Sequence, residues 1–156
     1  MHFTVRAIEA HRSTLPADDP LVARSTAALE RVTRALPPIG LALRGLTLTP
    51  SGVMACAYPV DSAADRFAAR LGVELGDDAW FEADFHRNIW YATLVHFAGP
   101  IADPAAVVEW VAARRHRSLG TAEVTAAELV RFRFNDRQPV RVPLATRQLG
   151  APARGA

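Results

Sequence analysis

The chain contains no lysine; all 18 of its cationic side chains are arginine. A phosphate-binding glycine loop that ends in lysine is therefore excluded as written. The single cysteine, Cys56, excludes an internal disulfide framework and any cysteine-based zinc site. Uninterrupted apolar runs are short, so no helix can be expected to span a bilayer. The start, Met1-His2-Phe3-Thr4-Val5-Arg6, lacks the basic-then-apolar layout of a signal peptide. No Gly-x-Ser-x-Gly, Gly-x-Gly-x-x-Gly or His-Glu-x-x-His occurs, and no carboxylates are paired at metal-ligand spacing. Neither a metal nor a cofactor is expected. The formal charge of +2 is too small to carry generic attraction to nucleic acid. It leaves room for a local anion site, because guanidinium forks match phosphate oxygens two at a time. Half of the 156 residues are hydrophobic, enough for a core without covalent staples. The expectation is one cytoplasmic domain over residues 1–149, followed by a disordered tail, 150–156.

Apolar periodicity orders the rest. Phe3, Val5 and Ala7 alternate with His2, Thr4 and Arg6, which predicts a strand over 3–8. Asp19-Pro20 starts a helix whose apolar positions are Val22, Thr26, Leu29, Val32 and Leu36, and Pro37-Pro38 stops it. Residues 39–49 and 53–60 read as a hairpin about Pro50-Ser51-Gly52. Ser62 and Asp65, in capping-box spacing, open a second helix with Ala64, Phe67, Ala68 and Leu71 facing inward. Gly76-Asp77-Asp78 breaks it, 80–88 reads as a loop, and 89–97 is the strongest strand. Asp103-Pro104 repeats the earlier helix start, with Val107, Val108, Trp110 and Val111 as the apolar stripe and Arg114, Arg115, His116 and Arg117 in the last turn. Two strands, 128–135 and 140–145, flank the turn Asn135-Asp136-Arg137-Gln138.

Strand, loop, Asp-Pro helix and strand pair thus occur twice, beginning near residues 2 and 91. The expected class is α+β: two pseudo-symmetric lobes, each a small antiparallel sheet backed by helices, around a central cleft. Laid on one another, the lobes align His2-Phe3-Thr4-Val5 with Tyr91-Ala92-Thr93-Leu94. With a side-chain period of two, Thr4 and Thr93 face the cleft together with His2 and Tyr91.

This arrangement resembles the 2H phosphoesterase superfamily, which includes 2′-5′ RNA ligase-like and cyclic-nucleotide phosphodiesterase-like proteins. His2 and Thr4 match its first His-x-Thr motif. Thr93, Leu94 and Phe97 match the second, whose usual shape is His-x-Thr-Leu-x-x-Phe. The likeness covers roughly residues 2–145. It implies metal-free hydrolysis of a cyclic phosphodiester. One histidine acts as base on water, the other as acid on the leaving oxygen, and the hydroxyls hold the phosphate. The chain departs from the pattern twice. Tyr91 stands where the family has its second histidine, and His96, five residues on, points to the other face of a regular strand. The strand and helix that usually precede the first motif are missing, so either the true start lies upstream or a sheet edge is open to a second copy, giving a homo-oligomer.

On the same reading Arg6 shares the His2/Thr4 face and is a candidate anion ligand. Arg131 and Arg133 alternate with Val130, Phe132 and Phe134, so they occupy the non-core face of their strand, lining the cleft or open solvent. Tyr91 is open as a packed aromatic or a catalytic group. His11, His86 and His116 carry no site signature, and Cys56 reads as a small buried hydrophobe. Trp80, Trp90 and Trp110 read as packing residues, with Trp80, Phe81 and Phe85 alternatively forming a lid on a planar ligand. The expected function is binding or impaired hydrolysis of a cyclic phosphodiester, the partner being a small phosphorylated ligand or RNA end and not a membrane. The alternatives are a non-catalytic binding protein on the same scaffold and an enzyme of other chemistry on a small metabolite.

Overall fold

The computed structural model describes residues 2–84, 89–134 and 139–150. Both Asp-Pro signals start helices. The carboxylate of Asp19 accepts from the N–H groups of Leu21 and Val22 at 2.9 and 3.1 Å, opening α1 (Pro20–Ala35). Asp103 accepts from Ala106 N at 3.0 Å and opens α3 (Pro104–Ala112). Each bond satisfies an amide that the first helical turn leaves without an intrahelical partner. Leu36, forced out of the helical region by Pro37, is extended and ends α1. The hairpin strands β1 (Ile39–Thr49) and β2 (Gly52–Pro59) and helix α2 (Ala63–Leu75) lie close to their predicted places. After α2 the chain tightens into a 3₁₀ segment, Gly76–Glu82, and then enters β3 (Trp90–His96). Three strands follow α3: β4 (Ser118–Val124), β5 (Ala126–Phe134) and β6 (Pro139–Gln148).

The class is α+β. One sheet has the order β3-β2-β1-β4, and the other pairs β5 with β6 antiparallel. The chain forms two compact units, each drawing on both halves of the sequence. The first takes its described residues from 2–5, 40–61 and 89–123, and the second from 6–39, 62–84 and 124–150. In the first unit Val111 of α3 is buried with Leu46, Val53 and Ala55, and Leu48 and Phe97 pack against that cluster. In the second, α1 rests on α2 and on the β5–β6 hairpin, around Leu29, Val32, Phe67 and Leu71. Arg24 with Asp78 and Arg31 with Glu74 tie α1 to the α2–3₁₀ segment at its rim. Such exposed pairs are worth about 0–1 kcal/mol each, whereas burying Phe67 contributes about 1.5–3 kcal/mol.

A bulge between Leu43 and Leu46 brings β1 to its neighbour. Gly45 sits there at φ +82°, donates its N–H to Arg117 O at 2.8 Å, and has the carbonyl of Arg115 where a Cβ would be. Only glycine fits.

Several expectations need correction. No strand forms over 3–8. The amide of Ala7 goes to the Glu82 carboxylate at 3.0 Å rather than to a ladder. Ser62 makes no capping bond to its helix; its hydroxyl accepts from Arg66 instead. The buried stripe of α1 is rotated towards Ser25 and Ala28, leaving Val22 and Thr26 half-exposed. Of the α3 stripe only Val111 is buried. Val108 is exposed, and so is Trp110, with the Arg114 guanidinium 4.1 Å above its ring. Arg114, Arg115, His116 and Arg117 follow the helix rather than complete it. Trp80 is 66% exposed, so it is no packing residue, whereas Trp90 is buried. His86, Phe85 and the turn 135–138 lie outside the described residues, as do 151–156. Gly150 donates its N–H to Thr33 O at 3.0 Å.

Candidate functional site

Burial alternates along β3: Trp90 and Ala92 are buried, Tyr91 and Thr93 half-exposed. Tyr91 stands opposite Cys56 and Thr93 opposite Met54, while Ala55 and Ala57 of β2 face the core. Tyr91, Thr93, Met54 and Cys56 therefore share the face turned away from the core.

The first-motif segment lies in the same unit. Although it forms no strand, its period-two pattern survives as burial: His2 and Thr4 are exposed, Phe3 and Val5 half-buried. The alternation stops at Arg6, which belongs to the second unit and is half-buried there. Its guanidinium donates to Ala79 O at 2.8 Å and lies against Gly72. The common face expected of His2, Thr4 and Arg6 presupposed a strand that the chain does not form. Thus His2, Thr4, Tyr91 and Thr93 fall in one unit and Arg6, Arg131 and Arg133 in the other.

The register of β3 revises one more expectation. Thr93 pairs with Met54 but Val95 pairs with Val53, so Leu94 is an extra residue, a β-bulge. His96 then pairs with Gly52, two residues from Met54 on β2. Positions two apart on a strand share a face, so the bulge returns His96 to the face of Thr93 and Tyr91. A regular strand would have sent it to the other side. No bulge-forming residue announces this in the sequence.

Cys56, on the same face, is half-buried. Burial raises its thiol above the usual 9.0, and the charge of Arg115 opposes that only in part. A protonated thiol is a poor nucleophile at neutral pH.

In the second unit Arg131 and Arg133 line a cavity with His11, Ser13, Thr14 and Phe134. The apolar face expected of their strand does not reach the core at this end, since Phe132 and Phe134 are both exposed. Among the described residues no cluster of histidine, cysteine and carboxylates could hold a metal ion. None of the described helices is long and apolar enough to cross a membrane.

No protein-family model and no curated protein matches the chain. Its fold is similar to two solved structures. TT0787 of Thermus thermophilus superimposes with a TM-score of 0.62 at 20% identity, over 88% of this chain and 73% of that one. Escherichia coli LigT, solved as a complex with ATP, superimposes with a TM-score of 0.56 at 15% identity, over 96% of this chain and 76% of that one. The likeness is one of fold.

Proposed function

We propose that the chain is a 2H phosphoesterase-like protein that binds or hydrolyses a cyclic phosphodiester of a nucleotide or RNA end, with impaired turnover. The observation that carries this reading is the placement of both motif remnants in one unit: His2 and Thr4 exposed on the N-terminal segment, Tyr91 and Thr93 on the solvent face of β3. The likeness to LigT, a protein solved with ATP, supports a phosphorylated ligand.

In the reaction, a water oxygen attacks phosphorus, one ring P–O bond breaks, and the ring opens to a phosphomonoester. His2 takes the proton from water or delivers one to the departing ribose oxygen. The hydroxyls of Thr4 and Thr93 donate to the phosphoryl oxygens, whose charge grows in the transition state. Tyr91 occupies the position of the second proton-transfer group. A phenol is a poorer proton shuttle than an imidazole at neutral pH, so the exchange handicaps proton transfer. A lost acid–base partner costs about 10²–10⁴ in rate, or roughly 3–5 kcal/mol.

The test is release of nucleoside monophosphate from 2′,3′-cyclic nucleotides, with binding followed as a rise in melting temperature. Turnover should be slow, and His2→Ala should abolish it while the fold persists. Robust turnover untouched by His2→Ala would falsify the assignment. Ligand-induced stabilisation without turnover would mark a binding protein on the same scaffold.

The bulge at Leu94 favours a second reading of one role, in which His96 supplies the second imidazole. His96→Ala separates the two: turnover falls with His2→Ala-like severity if His96 moves the proton, and is unchanged if Tyr91 does.

A further inference from the structure

We propose that the second unit carries a binding site of its own for a nucleoside phosphate, in the cavity between the 11–15 loop and the end of β5. It does not rest on the function proposed above, since its residues belong to the other unit and its readout is binding. The cavity is open to solvent on one side and has a volume of about 460 Å³, within the range of small-ligand pockets.

Its lining fits an anion. Arg131 and Arg133 are two residues apart on one strand, so both guanidiniums leave the same face about 7 Å apart at the backbone. Ser13 and Thr14 add two hydroxyls, and among the described residues no carboxylate lines the cavity. Among the described residues neither Arg131 nor Arg133 forms an ion pair. Arg131 reaches only the Ser13 carbonyl, at 3.5 Å, and its Nε–H is buried with no acceptor among the described residues. A buried guanidinium donor without an acceptor is unfavourable, and an anionic oxygen is the partner it lacks.

The same cavity offers an aromatic surface. His11 meets Phe134 edge-on, with centroids 5.0 Å apart and planes at 87°, and the Phe134 ring stays largely exposed. A flat heteroaromatic ring beside a phosphate uses both halves of the lining: phosphate oxygens on the arginines and hydroxyls, the base on Phe134.

Calorimetric titration of the whole chain with 5′-AMP, inorganic phosphate and adenosine tests the proposal. AMP should bind more tightly than phosphate, and adenosine weakest of all. Arg131→Gln and Arg133→Gln should each weaken AMP by at least about tenfold, the scale of one lost charge-assisted hydrogen bond. Arg70→Gln, at an exposed arginine of α2 outside the cavity, should bind AMP as the parent does. If Arg131→Gln fails to fold by circular dichroism, the exposed Arg133 still provides the variant. The proposal is overturned if AMP gives no heat at millimolar concentration, if adenosine matches AMP, or if Arg133→Gln binds unchanged. It is also overturned if AMP binding is lost in His2→Ala or Thr93→Ala and kept in both arginine variants. That last result would place the ligand in the first unit and leave the phosphodiester reading standing.

Discussion

Tyr91 of β3 lies directly opposite Cys56 of β2, and both point away from the core that Ala55, Ala57, Trp90 and Ala92 build. A thiol raised by burial and placed opposite Tyr91 is a reporter for this face. Native Cys56 should react with iodoacetamide several-fold more slowly than the unfolded chain at neutral pH, and speed up as the pH climbs past 9.0. Equal native and unfolded rates would contradict the burial described.

Asp19 is only 7% exposed, caps α1 and pairs with Arg12 at 2.6 Å. Hydrogen bonding from Arg12 holds its carboxyl below the usual 3.8, against the opposing effect of desolvation, and the Val22 and Leu21 amides add to the lowering. The native state therefore binds fewer protons than the unfolded chain. The stabilisation is complete above about pH 3.8 and is lost as the pH falls through the native value. Asp19→Asn keeps an acceptor for the cap but removes the titration. Denaturation midpoints taken from neutral to strongly acid pH should fall less steeply for Asp19→Asn than for the parent. Asp78, lowered by Arg24, keeps some slope in both. Identical profiles would contradict the assignment.

Gly45→Ala meets two obstacles at once. A residue with a Cβ at φ +82° is strained by about 1–2 kcal/mol, and the new carbon overlaps the Arg115 carbonyl, adding about 1–3 kcal/mol. Urea unfolding should register the loss as a lower midpoint with an unchanged slope. A midpoint equal to the parent's would show that the bulge is not needed to hold the chain near Arg115 and Arg117.

Local chemistry made much of this fold legible. Asp19-Pro20 and Asp103-Pro104 announce helices because capping and fixed proline φ act within a few residues, and Pro50-Ser51-Gly52 announces the hairpin for the same reason. What escaped depends on pairing between distant residues. β4 is an edge strand, Ser118–Val124, mostly exposed and interrupted by Gly120, so it has no alternating apolar face to read. The 3–8 segment has that alternation and still forms no strand; the Ala7 amide goes to the distant Glu82 carboxylate instead of to a neighbouring strand. At the candidate site Tyr91 and Thr93 share the face their spacing predicts. His96 joins them only through the register shift at Leu94, a property of β2 and β3 together. Arg131 and Arg133 were visible as a pair, but the 11–15 loop that completes their cavity lies over a hundred positions away in sequence.

The measurement that bears most directly on the proposed chemistry is hydrolysis of 2′,3′-cyclic AMP by Tyr91→His. If Tyr91 stands in the place of the second proton-transfer group, restoring an imidazole should raise turnover by about 10²–10⁴ over the parent, and adding His2→Ala should remove that gain. A folded Tyr91→His protein that gains nothing, or one whose gain survives His2→Ala, would contradict the account.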